Sequence, residues 1–246
     1  MSNENPVLIP VLILGALSDI GVAVGRAYAA TGRKLILLAR DKENLAREAE
    51  HLRLRYNATV ETHVFDVLYS HTELLASLDP FPTTVISVVG LMGEQSASET
   101  DEIAADLVFR SNFSAPALFL QACANKMTAG GTIVGISSVA GDRGRGSNYF
   151  YGAAKAGFTA FLSGLRNRLA ARGIHVITVK PGFVKTRMLE GMKTPAPLTA
   201  APEEVARAIL QAEAGRKNVI YVRPIWCFIM TIIKSIPEAI FKKLKL

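Results

Sequence analysis

Apolar and polar positions fall into two registers along this chain. Short, nearly unbroken apolar runs recur, and between them apolar residues return every three or four positions. The runs Val7–Leu14, Lys34–Ala39, Thr59–Phe65, Thr83–Gly90, Thr132–Ser137, Ile174–Lys180 and Asn218–Val222 predict strands. The helical period predicts helices over Ile20–Ala30, Asp41–Tyr56, Glu102–Lys126, Tyr149–Arg172 and Pro202–Ala214. Glycines punctuate the pattern: Gly32 closes the first helix, Gly130-Gly131 leads into the fifth strand and Gly173 into the sixth. Strands with no polar face are covered on both sides. With strict strand–helix alternation, that predicts an α/β fold, a doubly wound parallel sheet of Rossmann type in a single domain. Residues 1–222 form this body, and 223–246 a basic apolar tail. No internal repeat or long linker divides the chain.

Composition narrows the class. Half of the 246 residues are hydrophobic, which supplies a sizeable core and excludes a disordered or low-complexity chain. Two cysteines, Cys123 and Cys227, make no disulfide framework; both read as small buried hydrophobes in a reducing compartment. His51, His63, His71 and His175 have no metal-site spacing, so no metal is expected. The net charge of +7 is unevenly placed. Residues 1–214 carry 21 Lys/Arg against 20 Asp/Glu, whereas residues 215–246 carry seven against Glu238 alone. A basic patch on an apolar tail argues for a membrane surface or an acidic partner, not nucleic acid. Met1–Pro6 lacks a basic flank and does not read as a secretory signal, which places the protein in the cytoplasm or peripherally on its membrane.

The first strand runs into Gly15-Ala-Leu-Ser18-Asp19-Ile20-Gly21, a glycine-rich turn before a helix. Such a turn lets backbone approach a pyrophosphate at a positive helix end. Arg40 follows the second strand, where an acid would accept the ribose of NAD and a cation suits the extra phosphate of NADP. NADP(H) is favoured, and the neighbouring Asp41 keeps NAD(H) open. Asp66, with Val67 beside it, meets an adenine amino group or caps the next helix. Downstream, Tyr151 and Lys155 are four apart and share a helix face, and Ser138 ends the fifth strand. The lysine cation is expected to lower the phenol's pKa and make Tyr151 a general acid toward a carbonyl oxygen, with Ser138 donating to the same oxygen. The rival Tyr149 has Ala153 at the matching position. Glu203-Glu204 after Pro202 reads as a charged helix start, not a catalytic pair.

These residues resemble the short-chain dehydrogenase/reductase family over nearly the whole chain. The Tyr-x-x-x-Lys pair is present, with Ser138 thirteen residues before Tyr151. The family's relay asparagine matches Asn112 in Arg110-Ser-Asn-Phe, and its Pro-Gly loop matches Pro181-Gly182-Phe-Val-Lys-Thr186. The resemblance implies that Gly15, Ser18, Asp19, Ile20, Gly90, Pro181, Thr186, Tyr151 and Lys155 touch the dinucleotide. It also implies a homodimer or homotetramer. The chain departs from the pattern at Leu14, at Asp19 in place of the middle glycine, and at Ser87-Val88-Val89-Gly90. An unpaired carboxylate at Asp19 would repel phosphate.

At a finer level Gly90–Gly93, Arg143–Tyr151, Pro195–Thr199 and Pro237–Leu244 are similar to bacterial reductases acting on decaprenylphosphoryl-2-keto-erythro-pentose. Arg143 and Arg145, between Ser138 and Tyr151, are either surface charges or contacts to an anionic substrate. The apolar run Ile225–Ile233 is too short to span a bilayer, so it lies on a membrane surface or packs on the body. The chain is thus expected to reduce a ketone on a lipid or lipid-linked keto-sugar. A soluble small-molecule ketoreductase and a non-catalytic NADP-binding sensor are the alternatives.

Overall fold

The structure, a computed structural model, describes residues 10–69 and 71–244. The apolar runs form the inner strands β1 (Val11–Leu14), β2 (Leu35–Ala39), β4 (Thr84–Ser87), β5 (Thr132–Ile136) and β6 (His175–Pro181), and the alternating segment β3 (Val60–Val64) forms an edge strand. Two short strands, β7 (Phe183–Val184) and β8 (Thr199–Ala200), pair with each other, and β9 (Val219–Val222) returns to the main sheet. That sheet is parallel throughout, in the order β3-β2-β1-β4-β5-β6-β9. The start of the predicted first strand, residues 7–9, lies outside the described residues.

Helices cover both faces, as parallel strands without a polar side require. They are α1 (Asp19–Ala29), α2 (Lys42–Tyr56), α3 (Thr72–Ser77), α4 (Gln95–Thr100), α5 (Glu102–Phe109), α6 (Ala115–Lys126), α7 (Tyr149–Ala170), α8 (Pro202–Ala214), α9 (Ile225–Ser235) and α10 (Glu238–Phe241). On one face Val24 and Tyr28 of α1 and Ile209 of α8 pack on Val11, Ile13 and Val134. On the other, Phe119 and Leu120 of α6 and Phe158 and Leu162 of α7 pack on Leu12, Val85 and Ile133. Each such side chain contributes about 2 kcal/mol of burial. The predicted helix over 102–126 is α5 and α6 joined by a π-helical turn, Arg110–Ser114, which carries Asn112. The six-residue helices α3 and α4 were not predicted, because so short a segment gives little periodic signal.

The tail folds back on the body. Trp226 and Met230 of α9 are buried, and the indole Nε1 donates to the Leu198 carbonyl at 3.1 Å. Phe183 meets the indole ring edge-on, 5.5 Å between centroids. Gly182 permits this approach, since a Cβ there would fall 1.9 Å from the ring. The opposite face of α9 leaves Ile225, Phe228 and Ile232 exposed, and Cys227, expected inside, is exposed with them; Cys123 is buried. Among the described residues no helix is long and apolar enough to cross a membrane.

Trp226 is the protein's single tryptophan, so its emission reports the docking of α9. Gly182→Ala is expected to expel the indole and shift emission to the red of the wild type while the far-ultraviolet dichroism is retained. Unchanged emission would mean that the ring does not sit on the glycine.

Candidate active site

The strand order reverses between β1 and β4, which opens a cleft at their carboxyl ends. The turn after β1 is possible only with glycine. Gly15 has φ +86°, and a Cβ on Gly21 would lie 2.3 Å from the Gly15 carbonyl. Ser18 caps α1: its hydroxyl accepts from the Gly21 N–H at 3.0 Å and donates to the Gly15 carbonyl at 2.8 Å. Asp19 is not an unpaired carboxylate. It accepts from the Arg187 backbone N–H at 2.8 Å and from the Arg187 Nε at 3.0 Å, while Arg187 Nη2 donates to the Leu17 carbonyl at 2.8 Å. This ion pair offsets the repulsion that a lone carboxylate would impose on a phosphate. Arg187 had no sequence signal, because its partners lie 168 and 170 residues away.

On one side of the cleft a cavity of about 460 Å³ is lined by Gly15, Arg40, Asp66, Val67 and Gly90. Arg40 is exposed at its edge. The neighbouring Asp41 is occupied as the N-cap of α2, accepting from the Asn44 N–H at 3.0 Å and from its Nδ2 at 2.6 Å. Asp66 accepts from the Leu68 N–H at 3.0 Å, so it shapes a turn and caps no helix, since α3 begins only at Thr72.

On the other side a cavity of about 390 Å³ holds Ile20, Ser138, Tyr151, Lys155, Pro181 and Thr186. Both cavities are bordered by Ser18, Val88, Val89, Gly90 and Arg187, so they form one cleft. The first turns of α7 bury Tyr151 and Lys155 on one face and leave Tyr149 exposed, stacked on Phe150. Lys155 is 2% exposed, and its ammonium donates to the Ile136 carbonyl at 3.0 Å and to Val89 at 3.4 Å. Burial lowers its pKa to about 7. Burial also raises the Tyr151 phenol to about 12, with hydrogen bonding to Ser138 pulling the other way. The lysine-driven lowering expected from the spacing is therefore corrected. The ammonium lies 5.8 Å from the Tyr151 ring centroid and is spent on carbonyls, so desolvation dominates.

Asn112 is fully buried, and its amide bolts down the loop after β4. Oδ1 accepts from the Leu91 N–H at 3.1 Å, and Nδ2 donates to the carbonyls of Leu91 at 2.6 Å and Val108 at 2.9 Å. Its Oδ1 and the Lys155 ammonium flank the same open point beside Gly90. The Thr186 hydroxyl donates to the Val184 carbonyl at 3.2 Å. The two loop arginines part company. Arg143 is absent from the cavity wall and clamps the tail, donating to the Ile233 and Ile236 carbonyls at 2.7 and 2.6 Å. It also pairs with Glu238 at 2.8 Å and lies over the Phe241 ring. Arg145 lines the cavity. Glu204 accepts from the Ala201 N–H and pairs with Arg223, an arrangement that caps α8 and holds its carboxyl down at about 2.

Residues 10–196 match the family model described as short chain dehydrogenase. An uncharacterized oxidoreductase of Mycobacterium tuberculosis is 41% identical over 221 residues, 87% of this chain and 88% of that protein. A Streptomyces violaceoruber protein named as a candidate ketoacyl reductase of granaticin polyketide synthase is 33% identical, over 74% of this chain and 70% of its own. Among solved structures, a short-chain dehydrogenase from Sphingobium yanoikuyae in complex with NADPH superposes with a TM-score of 0.79. It is 25% identical, and the match covers 94% of this chain and 98% of that one. The chain belongs to the short-chain dehydrogenase family.

Between about pH 7 and 10.5 the unfolded chain holds the Lys155 proton and the folded chain has released it, so this lysine's contribution to stability rises with pH through that window. Lys155→Met is expected to melt higher than the wild type at pH 7, with the gap shrinking toward pH 10.5. A gap that does not vary with pH would show that Lys155 keeps an ordinary pKa.

Proposed function

We propose that this short-chain dehydrogenase, an NAD(P)-dependent oxidoreductase, uses NADPH to reduce a bulky, largely apolar ketone to a secondary alcohol. The observation that carries the reading is the buried, protonated Tyr151 beside Ser138 in a cavity walled by Val139, Phe183, Met188, Leu189, Met192 and Trp226. A phenol with its pKa near 12 is the acid form that reduction consumes at neutral pH.

The residues present fit the dinucleotide. The glycine turn leaves a cradle that a Cβ would fill, Asp19 is neutralised by Arg187, and Arg40 stands by a cavity edge whose neighbouring carboxylate is occupied as a cap. Arg40 favours the phosphate of NADPH over NADH, and the Sphingobium relative was solved with NADPH. When bound, NADPH supplies the hydride that reaches the carbonyl carbon. Ser138 and Tyr151 donate hydrogen bonds to the carbonyl oxygen, and the Tyr151 proton passes to it. Lys155, titrating near 7, holds an exchangeable proton beside the phenol, and Asn112 fixes the loop that carries the Lys155 acceptor Val89. Pro181 and Thr186, in the wall of the same cavity as Tyr151, would hold the nicotinamide end of the dinucleotide. Tyr151→Phe is expected to lower kcat about a thousandfold while leaving the Kd for NADPH within a factor of about two. Turnover close to wild type would refute Tyr151 as the acid.

One observation favours a lipid or lipid-linked keto-sugar as the substrate. The helix that walls the cavity with Trp226 turns Ile225, Phe228 and Ile232 outward, and Lys234, Lys242 and Lys243, at its end and beyond it in the chain, are exposed as well. That face suits an anionic membrane surface. Full-length protein is expected to sediment with anionic liposomes in a salt-sensitive way, and a Phe228→Glu/Ile232→Glu variant to stay in solution. Equal recovery of both proteins in the supernatant would remove the membrane from this reading.

A further inference from the structure

Arg145 differs from the arginines elsewhere in the fold whose partners are fixed. Arg26, Arg33, Arg110, Arg143, Arg187 and Arg223 each face a carboxylate, and Arg53, Arg166 and Arg172 are held by backbone carbonyls. Arg145 is half-buried, and its Nε is shut off from solvent with no partner among the described residues. Its nearest polar contact is a poor one, Nη2 to the Met230 thioether at 3.6 Å. Burial without an anion lowers its pKa, the direction expected of a guanidinium taken out of water uncompensated.

The surroundings make this cation available to a ligand. Arg145 lines the same cavity as Tyr151, and Asp19, the one carboxylate in that wall, is engaged by Arg187. The cavity therefore combines apolar walls with an uncompensated positive spot. Two residues earlier, Arg143 ties the loop to the tail carbonyls of Ile233 and Ile236, and Met230 lies against Arg145 itself. The loop that carries Arg145 is thus fixed before any ligand arrives, and the planar fork of donors on its guanidinium suits carboxylate and phosphate oxygens.

We infer that the cavity of the proposed reductase takes a ketone whose apolar body carries an anionic oxygen group, a phosphate ester or a carboxylate, and that Arg145 reads that charge. The inference rests on the assignment of this cavity as the substrate site. It commits to an amphiphile, because the apolar wall and the charged spot lie in one chamber.

The test is calorimetric titration of the full-length protein, saturated with NADP+, with octyl phosphate, octanoate, methyl octanoate and inorganic phosphate. The wild type is expected to bind octyl phosphate or octanoate at least about tenfold more tightly than methyl octanoate. Arg145→Ala should bring that ratio near one, and Arg145→Lys should retain part of it. Melting temperatures at or above that of the wild type and unchanged NADP+ affinities certify the folds of both variants. Equal affinities for acid and ester in the wild type, or a preference that survives Arg145→Ala, would overturn the assignment. Inorganic phosphate binding as tightly as octyl phosphate would overturn the amphiphile. No turnover enters these ratios. A protein that shows them yet reduces no ketone would refute the proposed reaction and leave the anion site standing.

Discussion

The site depends on the burial of Lys155. Its ammonium lies between the ends of β4 and β5, with the Val89 and Ile136 carbonyls as its acceptors. Ser137 fixes the strand against the helix, since its hydroxyl donates to the Lys155 carbonyl at 3.0 Å and shares a 2.6 Å bond with Thr159. Once that staple is set, Ser138 and Tyr151 have little freedom left, because one follows Ser137 and the other lies a turn before Lys155 on the same helix face. The same burial moves both titrations, lysine down and tyrosine up, and so leaves a neutral phenol on the same helix face as a lysine that titrates near neutrality.

A second constraint closes the other wall. The Pro181-Gly182 turn leaves β6 without a side chain where α9 crosses it, and the Trp226 ring fills that place. Lys180 and Tyr221 both reach Asp142, at 2.5 and 2.6 Å, which ties the segment after Ser138 to β6 and β9. Arg143 then fastens the same segment to the end of α9. The loop after Ser138 and the tail walling the cavity are thus one packed unit. Cations that look like a uniform basic tail in the sequence separate into two groups: Arg223 is spent on Glu204, whereas Lys234, Lys242 and Lys243 face outward.

Much of this was legible in the sequence, for identifiable reasons. The parallel sheet announced itself through strands with no polar side, and Tyr151, Lys155 and Ser138 through a spacing that only a shared helix face and a strand end satisfy. Tyr149 fell away by the same rule, and the structure leaves it exposed. What stayed hidden is long-range or environmental. The Arg187 partnership with Asp19 spans 168 residues. The opposite fates of Arg143 and Arg145 turn on where α9 lands, which no local pattern encodes. The shift of Tyr151 was misjudged because spacing reveals a neighbouring charge but not the depth at which both groups are buried. Helices α3 and α4 were lost because six residues give too few turns to repeat a pattern.

If Tyr151 and Ser138 together hold the reacting oxygen, a bound alcohol must meet both hydroxyls in the cavity that α9 walls. A crystal structure of the full-length protein with NADP+ and a bulky secondary alcohol tests it most directly. The alcohol oxygen is expected within about 3 Å of both the Tyr151 and Ser138 hydroxyls, with its apolar substituents against Phe183 and Trp226. An alcohol whose oxygen lies away from both hydroxyls, in a cleft otherwise filled as described, would contradict it.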